Sequence, residues 1–306
     1  MASFFHADDY GITFDQSRAI LSLSKATGGH GALNSISIFA NSPSFSEAAS
    51  LAAPFVEGGS LHASVHLNLV EGYPCADPLS LSLLVDSRGA FCHDFVGLLR
   101  LSLGRQRQEF HRQVSCELAA QIDRFLSAFP REQQTLRADS HQHTHAIPAV
   151  FDALMDALGA SNCTLGYLRT PVEPLSPHLS SLESLRRVKP VNLAKDALLS
   201  LLWHTNRMKM PQGCATALFC GVVLSGRMEQ VDMDLVRSFE KLAHKRGEDL
   251  EILFHPISVP RSLCLDPQNE PFARACASPS RDAEARAIER LGDVGDKLCP
   301  QDQAGR

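Results

Sequence analysis

Short apolar or β-branched runs alternate with amphipathic stretches along the whole chain. Seven runs predict strands, at residues 3–5, 35–39, 62–67, 135–140, 163–168, 217–224 and 250–255. Helical periodicity falls between and after them, at residues 17–27, 44–55, 106–129, 149–158, 193–203, 231–245 and 280–291. Alternation of this kind is typical of a parallel sheet. We therefore expect one α/β domain over residues 1–292, followed by a polar C-terminal tail at 293–306.

Local signals place several of the predicted boundaries. Ser44 and Ser280 each precede a helical pattern and predict N-caps. The pair Gly28-Gly29 predicts the end of the first helix. Residues 70–104, rich in Pro, Gly, Ser and Leu, are predicted to be irregular.

The unusual polar residues fall at the C-terminal ends of the predicted strands. They are Asp8 and Asp9, Asn41, His66 and Asn68, Asp139, His141 and His143, Arg169 and Glu173, and His255. In a β/α-barrel those strand ends converge on one face, which holds the active site. An open sheet would spread them over a wider crevice. The positions favour a TIM-like (β/α)7 barrel over an open doubly wound sheet.

Two motifs stand out among these residues. Asp8-Asp9 fits either a turn with a helix-capping Asp, or a pair in which one carboxylate binds a metal and the other accepts a proton. Residues 139–145 hold three histidines within five positions, and strand alternation would place Asp139, His141 and His143 on one face. Such a tract suits a borderline metal ion better than packing alone.

Each of the remaining candidate functional residues gives only a weak signal on its own. His66 and His255 each fit a structural histidine that satisfies buried polar groups. Opposite a carboxylate–histidine metal site, His255 becomes a candidate general acid. Arg169 and Glu173 fit a surface ion pair or, in the mouth of a barrel, groups that orient a catalytic residue or bind substrate hydroxyls.

Composition narrows the classes of protein and partner. The 306 residues carry a net charge of −5, which gives no electrostatic reason to expect nucleic acid or an anionic membrane as partner. The longest apolar run, residues 214–224, is too short to span a bilayer, and the N-terminus lacks signal-peptide features. Nine cysteines without a C-x-x-C pair indicate reduced thiols, and we expect a cytoplasmic protein.

The motifs together resemble those of the YdjC-like carbohydrate deacetylases, which include chitooligosaccharide deacetylases. The matching segments are residues 7–11, 66–72, 139–145 with Pro148, and 254–256, with weaker support from Glu117, Gln121, Arg281 and Glu284. Their order is preserved, and the resemblance covers residues 4–292. One departure lies beside the first motif, because the family commonly has Asn where this chain has His6.

The resemblance implies a metal-dependent hydrolase that removes an acetyl group from an N-acetylated sugar, oligosaccharide or glycolipid. It implies one divalent ion, magnesium or zinc, held by Asp9, His66 and His141, with Asp8 as base and His255 as acid. Candidate substrate-binding residues are Asn68, His143, Arg169 and Glu173, and His143 is also a reserve metal ligand. A metal phosphoesterase or amidohydrolase, or a catalytically silent sugar-binding protein, would fit the same fold. The sequence leaves a homodimer open.

Overall fold

Seven parallel strands form one curled sheet in the computed structural model of this chain, which describes residues 1–180 and 186–298. The strands are β1 (Ser3–Tyr10), β2 (Ser35–Ile38), β3 (His62–Leu67), β4 (Leu136–Ser140), β5 (Leu165–Leu168), β6 (Ala217–Cys220) and β7 (Asp249–Phe254). Their order across the sheet is β5-β4-β3-β2-β1-β7-β6. Each strand lies at a predicted position, and β1 extends furthest beyond its prediction because it continues through the two aspartates.

The two outer strands of this sheet, β5 and β6, are joined just before β6 begins. Ala215 N donates to Gly166 O at 2.9 Å, and Leu168 N donates to Ala215 O at 3.1 Å. These bonds form a parallel bridge between Tyr167 and Ala215. The sheet thereby curls round to its own edge, and the predicted (β/α)7 barrel is confirmed. Joining the edges also removes exposed strand groups that could pair with another chain.

Nine α-helices surround the sheet within the described residues. They are α1 (Phe14–Leu21), α2 (Phe45–Glu57), α3 (Phe95–Leu103), α4 (Arg107–Ala128), α5 (Pro148–Ala160), α6 (Pro190–Asn206), α7 (Met233–Arg246), α8 (Glu270–Cys276) and α9 (Pro279–Leu298). Two were not predicted. Helix α3 lies inside residues 70–104, where irregular structure was expected, and Asp94 caps it by accepting from Gly97 N at 2.7 Å. Helix α8 is a short helix of seven residues with a proline in its first turn.

One predicted helix end is confirmed in position and two are wrong in detail. Ser44 is the N-cap residue of α2, as predicted, but its side chain makes no capping hydrogen bond. Ser280 lies within the first turn of α9 because that helix begins at Pro279. The first predicted helix is divided: α1 ends at Leu21, and a separate 3-10 turn ends at Gly28, whose φ of 82° suits glycine.

The C-terminal helix is longer than predicted. Helix α9 continues to Leu298, past the expected start of the tail at residue 293, and residues 299–306 lie outside the described part of the chain. Within that part, none of the helices combines the length and apolar character needed to cross a membrane. The eight cysteines in the described residues are free thiols, and Cys299 lies outside them.

Helix α4 has a buried apolar face and, beside it, a buried polar stripe. Phe110, Val114, Leu118, Ile122 and Phe125 belong to the main core, and the helix packs against α5. Side chains four residues apart lie on one face of a helix. Burial of each such large apolar side chain contributes about 1.5–3 kcal/mol relative to leaving it exposed.

The polar stripe of α4 consists of Gln113, Glu117 and Gln121, again at a spacing of four residues. Glu117 accepts from Cys75 N at 2.9 Å and from Ala76 N at 2.8 Å. Gln113 accepts from Leu83 N, and Gln121 accepts from the main-chain N–H of the residue after β3. The stripe supplies the hydrogen bonds that an irregular backbone segment cannot make to itself. It therefore fixes the loop that follows β3 against the barrel.

Candidate functional site

Asp8 and Asp9 are adjacent in β1, yet both carboxylates reach the same buried histidine. His66 Nε2 lies 3.6 Å from Asp9 Oδ1 and 4.0 Å from Asp8 Oδ2. Successive side chains of a regular strand point to opposite faces. Here the register of β1 against β2 shifts between Ala7 and Tyr10, and Asp9 has a φ of 61°. The irregularity re-aims one carboxylate, and the left-handed conformation is a strained one for Asp.

Three potential metal ligands converge at this point. Asp9 Oδ1 is 3.6 Å from His66 Nε2 and 3.3 Å from His141 Nδ1, and all three side chains are buried. Asp9 Oδ1 and His66 Nε2 have no hydrogen-bond partner among the described residues. Buried polar atoms without partners are uncommon, and one carboxylate with two imidazoles is a frequent ligand set. The donor set therefore fits a divalent ion.

The far side of His66 is held by a second carboxylate. Its Nδ1 lies 2.5 Å from Asp139 Oδ1, and Ser37 Oγ contacts the same two atoms at 2.9 and 2.5 Å. Ligand histidines commonly donate their other nitrogen to a carboxylate, which fixes the tautomer. Burial lowers the pKa of His66, but the Asp8 and Asp139 carboxylates outweigh it and raise the pKa to about 10. The surroundings of His66 thus stabilise positive charge.

Asp9 is held by Arg281 from α9. Arg281 Nη2 donates to Asp9 Oδ2 at 2.5 Å, which leaves Oδ1 to face the two histidines. Burial raises the pKa of Asp9, yet Arg281 and the histidines lower it well below its ordinary value. The carboxylate is therefore ionised at neutral pH, as a metal ligand must be.

Asp8 belongs to a buried ion-pair network that Asp139 connects to His66. Arg169 donates to both Asp8 oxygens at 2.8 Å, and its Nε donates to Glu251 at 2.5 Å. Arg169 Nη2 also lies 3.1 Å from Asp139 Oδ2. Burial raises the pKa of Asp8, but Arg169 lowers it far below its ordinary range. Asp8 is consequently ionised and fixed in orientation, because a bidentate pair restricts both oxygens.

His6 joins this network from β1. Its Nδ1 lies 2.7 Å from Ser35 Oγ, and its Nε2 lies 3.2 Å from Asp8 Oδ1 and 3.4 Å from Asp139 Oδ2. The residue that departs from the family pattern is thus a direct neighbour of Asp8. It is completely buried and contacts the carboxylates of both Asp8 and Asp139.

His255 follows β7 and faces Asp8 across the barrel mouth. Its Nε2 lies 4.0 Å from Asp8 Oδ2, and about a third of the side chain is exposed. Glu284 of α9 accepts from His255 N at 2.5 Å and so fixes the backbone there. A general acid must carry a proton when the leaving group departs. In this structure burial outweighs the Asp9 and Asp8 carboxylates and lowers the pKa of His255 to about 4.

An open cleft of about 560 Å³ leads to this cluster. Its lining includes Asp9, Glu71, His141, His255, Arg281 and Glu284. A cleft of this size is within the range of small-molecule sites. One molecule that binds in this cleft can therefore contact the potential metal ligand Asp9, His255 and Arg281 together.

Comparison with known proteins identifies the family of this chain. The sequence profile of the family described as YdjC-like protein matches residues 4–289. The chain belongs to the YdjC-like family. The match covers the aspartate pair, the histidine motif and His255, so the resemblance seen in the motifs is confirmed.

One curated relative and one solved structure are similar to this YdjC-like chain. A carbohydrate deacetylase from Xenopus laevis is 31% identical over 168 residues, which are 54% of this chain and 49% of that protein. The match thus spans about half the length of that relative. The solved structure of a proposed cellobiose-phosphate cleavage protein from Enterococcus faecalis has a TM-score of 0.58 at 18% identity, over 97% of this chain and 94% of that one. At that identity the likeness shows the fold alone.

His143 is not part of the ligand cluster of the YdjC-like site. The expectation that it shares a face with His141 assumed an extended segment, but β4 ends at Ser140 and residues His141–Ala146 form a 3-10 turn. Gln142 and His143 have positive φ, which breaks the strand alternation. The His143 ring packs edge-on against Phe219 instead, so its predicted role as a reserve ligand lacks geometric support.

The other three predicted substrate-binding residues are also buried in supporting positions. Arg169 is completely buried between carboxylates. Asn68 accepts from Val70 N and Glu71 N, and therefore shapes the turn after β3. Glu173 accepts from three consecutive main-chain N–H groups, of Gly221, Val222 and Val223, at 2.7–2.9 Å. None of the three is among the residues that line the described cleft, and their contact with substrate stays a prediction.

Sequence reasoning assigned no role to Glu71, Arg281 or Glu284, which all line the cleft. Glu71 lies within the segment that resembles the family, and Asn269 Nδ2 donates to it at 2.9 Å. Arg281 and Glu284 stand on α9, far in sequence from the aspartates. Their spacing of three residues puts both on one helix face, which was a usable signal. The spacing does not show which part of the protein that helix face packs against.

Proposed function

We propose that this YdjC-like protein removes the acetyl group from an N-acetylated sugar, using one divalent ion held by Asp9, His66 and His141. The observation that carries the proposal is the convergence of these ligand atoms, beside Asp8 and His255, at the end of an open cleft. The relative named carbohydrate deacetylase supports the substrate class.

The ligand set would bind the ion through Asp9 Oδ1, His66 Nε2 and His141 Nδ1. When bound, such an ion supplies Lewis acidity, which lowers the pKa of a water and polarises a carbonyl group. Two imidazoles suit zinc, cobalt or nickel better than magnesium, which prefers oxygen ligands. Zinc is therefore the first ion to test, and magnesium the second.

In this proposal Asp8 accepts a proton from water and His255 donates a proton to the leaving group. Water adds to the carbonyl carbon, and its proton goes to Asp8, which Arg169 keeps ionised and oriented. The carbon–nitrogen bond breaks as the leaving nitrogen takes a proton from His255 Nε2. Because the free enzyme holds His255 neutral, that proton must first arrive, and Asp8 Oδ2 at 4.0 Å is the adjacent source. The products are acetate and the free amino sugar.

The proposal is tested by loading the protein with zinc or magnesium and incubating it with N-acetylated sugars and lipid-linked N-acetylated sugars. Released acetate is measured, with phosphate release from sugar phosphates as the parallel assay. Acetate release from at least one sugar is expected. Phosphate release without acetate would favour a phosphoesterase, and sugar binding without either product would favour a silent binding protein.

Asp8→Asn is the matched variant for this assay. It should keep the bound metal and the fold but lose turnover by about 10²–10⁴-fold, because an amide cannot accept the proton. Metal content and the thermal unfolding midpoint are measured alongside acetate release. A fully active Asp8→Asn protein would reduce Asp8 to a structural partner of Arg169.

A further inference from the structure

The two buried arginines at the barrel mouth differ in how many donors they use. Every nitrogen of Arg169 contacts a carboxylate. Arg281 Nε donates to Ala275 O at 3.0 Å and Nη2 donates to Asp9 Oδ2 at 2.5 Å, whereas Nη1 is buried without a hydrogen-bond partner in the described residues. An unused donor on a buried charged group calls for a physical explanation.

Ring stacking does not account for this donor. Arg137 also has buried nitrogens without partners, but its guanidinium stacks on the rings of Phe4 and Tyr167, with centroid distances of 4.7 and 4.0 Å. An aromatic face stabilises a cation there without an acceptor in the guanidinium plane. No comparable ring lies over Arg281 in the described part of the chain.

The position of Arg281 points to an anionic or polarised oxygen as the missing acceptor. Its side chain is 5% exposed and lines the cleft beside Asp9, His141 and His255. It stands in the first turn of α9, a helix of 20 residues, whose N-terminus favours negative charge. Arg281 therefore lines the same cleft as the candidate ligands Asp9 and His141.

We infer that Arg281 Nη1 binds the acyl oxygen of the substrate, a role that rests on the proposed deacetylation. The guanidinium donates to the carbonyl oxygen of the N-acetyl group and to the negative charge that develops there as water adds. After the carbon–nitrogen bond breaks, the same donor holds the acetate carboxylate. No covalent bond to Arg281 forms and its proton count is unchanged. The Nη2 bond to Asp9 fixes the plane of the guanidinium, so the donor is oriented in advance.

A purely structural role makes a different prediction, because Arg281 also orients Asp9. Arg281→Lys separates the two roles: an ammonium group can still pair with Asp9 Oδ2, but it lacks the second, forked donor. In the zinc-loaded variant, kcat should fall by about 10²–10³-fold, the loss typical of one oxyanion donor, with little change in KM. Zinc affinity, measured by competition with a chromogenic chelator, should stay at the wild-type value.

Acetate binding provides a readout that does not depend on turnover. Titration of the zinc-loaded proteins with acetate should give a dissociation constant about tenfold or more weaker for Arg281→Lys, because a charge-assisted hydrogen bond is lost. Arg274→Lys is the control: Arg274 is an exposed residue of α8 that pairs with Glu270, and its variant should match wild type in both assays.

A crystal structure of zinc-loaded wild type with acetate tests the contact even if Arg281→Lys folds poorly. An acetate oxygen should lie within hydrogen-bond distance of Nη1. An acetate bound elsewhere with a water on Nη1, an unchanged acetate affinity in Arg281→Lys, or a loss of zinc affinity that matches the loss of kcat would each overturn the inference. If wild type releases acetate from no sugar, the proposed function fails, while acetate binding and the crystal contact still decide the role of Arg281.

Discussion

Asp9 divides its two carboxylate oxygens between different partners. Oδ2 accepts from Arg281 at 2.5 Å, and Oδ1 faces His66 and His141 at 3.6 and 3.3 Å. His66 is divided in the same way, with Nδ1 on Asp139 and Nε2 toward Asp9. The ligand atoms of Asp9 and His66 are therefore each oriented by a bond on the other side of the same group, which is how outer partners tune a metal site.

This orientation leads to a prediction about metal content. His66→Ala and His141→Ala should each lose most of the zinc that wild type retains after dialysis, because two protein ligands hold an ion far less firmly than three. His143→Ala should retain it, since His143 packs against Phe219 and not against the cluster. Elemental analysis of the dialysed proteins measures the outcome. If both His66→Ala and His141→Ala keep the wild-type zinc content, these two histidines are not the metal ligands.

His255 yields a prediction that depends on the leaving group. His255→Gln should keep the fold and the zinc, because His255 is not a proposed ligand, its Nε2 lies 4.0 Å from Asp8, and Glu284 accepts from its main-chain N–H. It should slow acetate release from an N-acetylated sugar by about 10²–10⁴-fold, as expected for loss of a general acid.

The matched substrate for this variant is an activated aryl acetate, whose leaving group needs no proton. Its hydrolysis should fall much less in His255→Gln than that of the sugar. Rates are compared as kcat/KM for both substrates. Equal losses would show that His255 does not protonate the leaving group.

The convergence of the three candidate ligand residues could be predicted from the sequence, but the geometry around them could not. Asp9, His66 and His141 all follow apolar strand segments, and parallel strands bring their ends together. Strand alternation misplaces His143, because a left-handed backbone at positions 142 and 143 replaces the extended one. Arg281 stands on the last helix, and no local pattern connects it to Asp9.

At the scale of single elements, helix caps depend on backbone geometry that composition does not fix. Thr13 has an extended backbone, and its hydroxyl accepts from Gln16 N at 3.1 Å at the start of α1. Ser44 precedes α2 with a φ of −85° and a ψ of 6°, and its side chain makes no such bond. Both are residue types that favour caps, so the sequence could not separate them.

This difference predicts unequal losses of stability. Thr13→Ala should lower the free energy of unfolding by about 1 kcal/mol, as usual for loss of a capping hydroxyl. Ser44→Ala is the control and should change it by a few tenths of a kcal/mol at most, about the size of an ordinary surface substitution. Urea unfolding of both variants and wild type measures the differences. Equal losses would contradict the capping geometry.

The two helices that the sequence pattern does not predict were missed for the same reason. Helices α3 and α8 are short, at nine and seven residues, and each contains or adjoins a residue that usually marks a loop. Gly97 lies inside α3 and Pro271 in the first turn of α8. Such residues lower helix propensity, and tertiary packing overrides that preference. Long periodic segments such as α4 carry enough pattern to be predicted within one residue at each end.

At the scale of the whole molecule, alternation of strands and helices predicts a parallel sheet but not its closure. Closure depends on a bridge between Tyr167 and Ala215, and Ala215 lies two residues before β6. No periodicity marks that pair. The convergence of polar residues at the strand ends was the observation that favoured a barrel, because it required strands one to seven to share one mouth.

Glu117 couples the stability of the whole fold to pH. It is completely buried on α4, and burial, opposed by its hydrogen bonds to Ala76 N and Cys75 N, raises its pKa to about 7. Between the unfolded value near 4.5 and this value, the unfolded chain has released the proton and the folded chain keeps it. The folded state then binds more protons, so the contribution of Glu117 to stability falls as pH rises through this window.

Glu117→Gln removes this ionisation while keeping the size of the side chain. The stability of the variant relative to wild type should rise between pH 4.5 and pH 8, by at most about 3 kcal/mol, since one pKa unit corresponds to about 1.4 kcal/mol. Urea unfolding of both proteins across that range measures the difference. A difference that stays constant with pH would contradict the raised pKa.

The irregularity near the end of β1 limits how the number of residues in this strand can change. Burial alternates from Ser3 to His6, whereas the register shifts between Ala7 and Tyr10, where Asp9 has a left-handed backbone. One amino acid inserted or deleted between Ser3 and Ala7 would exchange inward and outward positions for the rest of the strand, and the Asp8 and Asp9 carboxylates would trade surroundings or leave them. Insertion or deletion of two amino acids would restore the original inward and outward positions. During divergence, single-residue length changes should therefore be excluded from this strand and be absorbed by the loops at the opposite end of the barrel.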